Sequence, residues 1–149
     1  MINLSKETKI IRHSPAVAAG TSTITPSAGV DCHGYESCLF IVAFGTIVTS
    51  AATSIKVQQS SDDGVADGYS DLLGTSVTIA DDQDNKLAYI EIVRPEKRYL
   101  KLIVSRATQN STVDGVVAVL SGAKYAPTTH DTTVITTSET HFWPIEGTA

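Results

Sequence analysis

The sequence predicts an all-β fold, an antiparallel sandwich or barrel, and three observations point there. Seven short runs with strand patterning are separated by clusters of turn-forming residues. Threonine (19) and serine (15) together exceed a fifth of the 149 residues, a bias that suits half-exposed strands and turns better than helices. No window of a dozen residues repeats its apolar positions every 3.6 residues, so any helix is short. The length fits one domain, able to bury about 68–70% of its unfolded surface.

Residues 1–20 hold an isolated Ile10-Ile11 and then the small-residue stretch Pro15-Ala-Val-Ala-Ala-Gly20; they read as an N-terminal arm. The sandwich domain is expected over 21–127, with its first strand at 21–25 before the turn Ser27-Ala-Gly29. The next strand, 37–48, contains Leu39-Phe-Ile-Val-Ala-Phe44, apolar on both faces. Such a run marks a central strand covered on both sides, or one that switches between sheets, and it should be the heart of the core. A strand at 54–59 ends in Ser60-Ser-Asp-Asp-Gly64, and Ser70-Asp-Leu-Leu-Gly74 reads as a single helical turn. Strands at 76–80 and 86–93 flank the turn Asp81-Asp-Gln-Asp-Asn85.

The charged, proline-marked turn Arg94-Pro-Glu-Lys-Arg-Tyr99 launches a strand over 99–106, where Leu100, Leu102 and Val104 alternate with Lys101, Ile103 and Ser105. Thr108-Gln-Asn-Ser111 turns the chain into the last strand, 113–121. Residues 128–149 are threonine-rich and read as a C-terminal arm carrying the cluster Phe142-Trp143-Pro144-Ile145. So much aromatic area is costly to leave in water, so the tail either folds back on the sandwich or docks on a neighbour.

Charge and hydropathy narrow the partners. The net charge is -5, and the six basic residues from Lys86 to Arg106 are offset by seven aspartates between Asp62 and Asp84. Binding a polyanion needs a basic excess, so no nucleic-acid partner is expected. The longest apolar run, 38–44, is far short of the ~18 residues of a membrane helix, so no membrane span is expected either. The N-terminal Met1-Ile-Asn-Leu-Ser-Lys-Glu-Thr-Lys mixes charges where a secretory signal has an apolar core, which predicts synthesis in a cytoplasm and either retention there or assembly there into something larger.

Each candidate chemistry meets a plainer reading. Asp62-Asp63-Gly64-Val65-Ala66-Asp67-Gly68 invites calcium, but read as a calcium-binding loop from Asp63 it puts Val65 and Gly74 where oxygen ligands are needed. It is expected to be a solvated turn. Cys32, His33 and Cys38 offer three soft ligands without the fourth that structural zinc wants. In an extended strand the two cysteines lie about 20 Å apart, so buried free thiols are expected unless His33-Gly34 bends the chain into disulfide reach. His13, His130 and His141, near Ser14, Asp131 and Ser138, lack a nucleophile elbow and read as surface histidines. The glycines are isolated at turns and form no phosphate loop. Tyr69, Tyr89, Tyr99 and Tyr125 could form a sugar-stacking platform, although such residues more often fill cross-strand pairs. The expectation is a protein that is not an enzyme and has no cofactor, no metal and no catalytic residue.

An ordered set of segments carries more. Val30-Asp31, Gly34-Tyr35-Glu36-Ser37, Phe40-Ile-Val42, Ser61-Asp-Asp-Gly64, Asp71-Leu-Leu-Gly-Thr75, Lys97-Arg-Tyr-Leu-Lys-Leu102, Val117-Ala-Val-Leu120 and Tyr125-Ala-Pro127 follow one another over residues 20–127. Together they resemble a family of small structural proteins of tailed bacteriophages and prophages. Where that family has a Gly-His-Pro-Arg-His-Ala-Pro-like stretch, this chain has Ser121-Gly-Ala-Lys-Tyr-Ala-Pro127 and then a longer extension.

The resemblance implies a jelly-roll-like sandwich working as a dimer or trimer. It implies a decoration or cement protein on the capsid exterior, bound to the phage major capsid protein and assembled in the bacterial cytoplasm. Ile10, Ile11, Phe142, Trp143 and Ile145 are then the expected anchors. A carbohydrate- or receptor-binding head appendage, and a head–tail connector or tail protein, are the alternatives.

Overall fold

A computed structural model describes residues 3–141 and 146. One short helix, α1 (Leu4–Glu7), precedes ten strands: β1 (Lys9–Ser14), β2 (Val17–Gly20), β3 (Val30–Asp31), β4 (Ser37–Ile47), β5 (Ala52–Ser60), β6 (Ser70–Asp71), β7 (Val77–Ile79), β8 (Leu87–Val93), β9 (Tyr99–Ala107) and β10 (Ser111–Ser121). They form two antiparallel five-stranded sheets. The first runs β1-β10-β4-β8 with β2 also on β10; the second runs β3-β9-β5-β6 with β7 also on β5. Apart from β1/β2 and β5/β6/β7, the chain switches sheet at each step, which gives the doubly wound sandwich of jelly-roll type. The predicted all-β sandwich and the structure agree.

Period-2 alternation builds the core. Cys38, Phe40, Val42 and Phe44 of β4 point inward beside Val116, Ala118 and Leu120 of β10, and meet Ile55 and Val57 of β5 and Leu100, Leu102 and Val104 of β9. Phe40 and Leu120 are wholly buried. Burying a side chain of this size stabilises the fold by about 1.5–3 kcal/mol.

Polar side chains join the layers. His13 of β1 reaches the opposite sheet, its Nε2 accepting the Leu102 N–H at 3.1 Å, and its ring lies 5.1 Å from that of Phe40. Burial drives its pKa down from 6.5 to about 4. Arg106 is buried at the end of β9 and donates to the carbonyls of Ser22 (2.8 Å), Ala18 (2.9 Å) and Ser111 (2.7 Å), tying β2 and β10 to the second sheet.

Three segments differ from the sequence reading. The expected N-terminal arm over 1–20 is, from Lys9 to Gly20, two strands of the first sheet, paired as Ile10 with Val119 and Ile11 with Ala118. β10 would otherwise present a long unpaired edge, and β1 can close it because Ile11 and His13 turn inward together. The expected strand at 21–25 is reduced to one bridge, Ile24 with Val104, in a stretch that Pro26 ends. The expected helical turn at 70–74 is β6 followed by a tight turn. Gly74, at φ +79°, sits in the left-handed region that a right-handed helix cannot use.

The C-terminal segment folds back over part of its length. Thr128 N–H donates to the Lys6 carbonyl (2.7 Å) and its hydroxyl to the Thr8 carbonyl (2.6 Å). His130 lies between the Ser5 carbonyl (2.9 Å) and the Ile10 N–H (3.4 Å), alongside the free edge of β1.

Candidate docking surface

The outer face of the first sheet is the unusual surface of the molecule. In β4 the residues opposite the core are Leu39, Ile41 and Ala43; in β10 they are Val117 and Val119; in β8, Leu87, Tyr89 and Val93; in β1, Ile10. The register lines them up in rows. Ile10, Val119 and Leu39 form one row ending in Glu91, and Val117, Ile41 and Tyr89 form the next, which begins at Arg12. Leu87 stands opposite Ala43, and Val93 opposite Ser37.

An antiparallel sheet with one wet face ordinarily alternates apolar-in with polar-out. Here β4 is apolar on both faces from Leu39 to Ala43, and β8 and the Val116–Leu120 part of β10 nearly match it, with Glu91 as the exception. Leu87 is 70% exposed, Tyr89 72% and Val93 64%, while Ile10 and Val117 are each 37% exposed. β8 is also the edge strand of its sheet, so its outer backbone groups are open to a partner.

The anchors expected from sequence divide. Ile10 lies on this face, whereas Ile11 turns inward and, partly buried, packs against the core. Phe142, Trp143 and Ile145 lie outside the described residues. Sequence reasoning missed Leu87, Tyr89 and Val93 as a group. Their signal was present, since Leu87 to Val93 alternates two apolar sets, broken only by Glu91.

The other candidate groups are engaged in structure. Asp62 accepts the N–H groups of Val65 (3.1 Å), Ala66 (2.7 Å) and Asp67 (3.1 Å), and these bonds, the one from Ala66 foremost, hold its carboxyl below the usual range. Asp67 meets Lys97 at 2.7 Å and the Ser61 N–H at 2.8 Å; the Lys97 ammonium above all lowers its pKa to about 2. Asp63 accepts from the Tyr69 hydroxyl and from Gly29 N–H. The loop is therefore wired by its own backbone and neighbours.

Cys32 and Cys38 are buried free thiols; Cys32 Sγ donates to the Val30 carbonyl (3.6 Å), and the neighbouring Cys32 thiol and then burial push the Cys38 thiol up. His33 beside them is exposed, and among the described residues no three His, Cys, Asp or Glu side chains group to hold a metal. His13 is half-buried rather than at the surface as expected, because β1 joins the first sheet and turns His13 inward. His130 bonds the backbone and His141 pairs with Glu139 at 2.9 Å, so among the described residues neither histidine meets a serine hydroxyl.

Among the basic residues of 86–106, Lys97 and Arg98 pair with Asp67 and Asp31, and Lys101 and Arg106 are buried. Lys101 lies 3.8 Å from the centre of the Tyr69 ring, which it caps. Tyr69 thus serves the loop, while Tyr125 is 79% exposed. No helix among the described residues is long and apolar enough to cross a membrane.

No protein-family model matches the sequence, and no curated protein matches it. Among solved structures, a chain of the infectious bursal disease virus Gx strain superposes with a TM-score of 0.49 and 19% identity, over 80% of this chain and 34% of that one. The VP2 subviral particle of infectious bursal disease virus gives a TM-score of 0.47 and 17% identity, over 78% of this chain and 32% of the other. This chain thus spans about a third of the length of each.

Proposed function

We propose that this chain is a non-enzymatic structural protein of a tailed-phage or prophage virion, a decoration or cement protein. It lays the outer face of its first sheet on the shell of major capsid protein. The observation that carries the reading is β4, whose sequence is that of a strand covered on both sides, while Leu87, Tyr89 and Val93 beside it stand 64–72% exposed. A face of this kind is the apolar centre of an interface waiting for its other half. Ile10 belongs to the same surface, and Phe142, Trp143 and Ile145 of the tail are proposed as further anchors for the shell. Copies on one lattice, as dimers or trimers, add weak contacts through effective concentration.

The test is binding to purified shells of the encoding phage. The double variant Leu87→Asp with Tyr89→Asp leaves the core untouched and should lose binding by at least about tenfold, the loss of about 1.4 kcal/mol. Full binding by this folded variant would refute the placement. A second reading, a glycan-binding head appendage, is favoured by the exposed Tyr125 in a hollow with His33, Tyr35, Lys124 and Pro127. Saturable binding on a glycan array, lost in Tyr125→Ala, would support it.

A further inference from the structure

We propose that β8 pairs edge to edge with β8 of a second copy of this chain, antiparallel about a two-fold axis at Ile90, so that the first sheets of the two copies join into one continuous sheet. The pairing supplies a contact between copies that shell docking leaves unspecified. It forms without a shell.

The free backbone of β8 carries the inference. Phe44 N–H donates to the Lys86 carbonyl (3.1 Å) and Arg94 N–H to the Glu36 carbonyl (2.7 Å), both in the register that pairs β4 with β8. The even-numbered residues of β8 therefore turn their backbone groups to β4, and the N–H and C=O groups of Leu87, Tyr89, Glu91 and Val93 point out from the edge. Among the described residues nothing binds them. The other edges are short or covered: β3 and β6 have two residues, β7 three and β2 four, and His130 lies on the Ile10 N–H of β1. β8 has seven residues, with no proline, glycine, lysine or bulge to blunt it.

The sequence of β8 selects a second copy as the partner, because it is close to its own reverse. Pairing about Ile90 sets Leu87 against Val93 and Tyr89 against Glu91 as hydrogen-bonded pairs, with Ala88 against Ile92 and Ile90 against its own copy between them. Every residue of the strand is then matched through about eight backbone bonds, and no like charges face each other. Moving the axis spoils the match. About Glu91 it sets two carboxylates opposite each other; about Tyr89 it sets Leu87 against Glu91 and Val93 against Asn85, outside the strand. Lys86 and Arg94, the like charges next in line, flank the strand, and Arg94 at φ +52° turns the chain away. The axis stands perpendicular to the sheet, so the outer faces of both copies look the same way. Leu87, Tyr89 and Val93 of the two copies then form one doubled apolar floor.

Sedimentation of the full chain with no shell present tests the pairing at about 0.1 mM, where a pair with a dissociation constant of about 10 μM is mostly dimeric. Wild type should sediment as a dimer. Glu91→Pro removes an outward N–H, leaves the bonds to β4 and the side chains of Leu87, Tyr89 and Val93 in place, and should weaken the dimer at least about tenfold. Its far-ultraviolet circular dichroism should keep the β signature. Single cysteines give a second reading should that variant not fold. Ile90→Cys, which places two Cα atoms about 4.5 Å apart across the axis, should cross-link to its copy under mild oxidation, and Tyr89→Cys and Glu91→Cys should not. A wild-type monomer at that concentration, a dimer that Glu91→Pro does not weaken, or a cross-link through Tyr89→Cys or Glu91→Cys in place of Ile90→Cys would overturn the pairing. A monomer that still binds shells would end the dimer and leave the docking standing.

Discussion

Acidification from about pH 7 to about pH 4.5 should destabilise this protein through His13. Its imidazole is half-buried between the sheets, its Nε2 already accepts the Leu102 N–H, and loss of solvent there holds its pKa at about 4 against 6.5 in an unfolded chain. In the window between those values the unfolded chain takes up a proton that the folded chain refuses. Stability from the neutral ring is therefore complete above about pH 6.5, falls as the pH drops, and levels off below about pH 4. Lys101 nearby adds to the penalty for a second positive charge.

The full shift corresponds to about 3 kcal/mol, of which about 2 kcal/mol should be lost by pH 4.5. With a urea slope of roughly 1–3 kcal/mol/M, the midpoint should drop by about 1 M. Aspartates 31, 62, 67, 71 and 131 are held below their ordinary 3.8, so their share is lost only at lower pH and does not confuse the window. Urea titrations across the window, on wild type and His13→Gln, decide the matter. Glutamine can accept the same N–H without titrating. A wild-type midpoint that stays flat from pH 6.5 to 4.5, or a variant with the same slope as wild type, would refute the reasoning.

Arg106→Met should cost about 3 kcal/mol in urea unfolding, because three carbonyls lose a charged donor inside the protein. A loss below about 1 kcal/mol would mean that water replaces the guanidinium. Gly122→Ala should cost about 1–2 kcal/mol or more, since φ is +66° and an added Cβ would lie 2.7 Å from the Glu36 Cβ. Thermal unfolding of that variant at the wild-type temperature would show the strain to be absent.

The parts of the fold legible in the sequence were those where one apolar set alternates with a polar one. β9 is the clearest, with Leu100, Leu102 and Val104 turned to the core and Lys101 capping a tyrosine on the other side. β1 was not legible, because Lys9, Arg12 and His13 surround its two isoleucines and give the look of a charged arm. Only the open edge of β10 explains why this segment is a strand, and that is a tertiary fact. The docking surface was hidden for the opposite reason. Leu39, Ile41 and Ala43 announce a strand covered on both faces, and nothing local says whether the cover belongs to the same chain or to a partner. Ile10 and Ile11 looked alike as anchors; the pleat separates them, one outward and one into the core.

Imaging the intact virion at a resolution that places single strands tests the docking account most directly. The account predicts many copies on the capsid exterior, each with Leu87, Tyr89 and Val93 of β8 against the shell. Copies whose β4·β8 face looks out to solvent, or a chain found only at the tail, would contradict it.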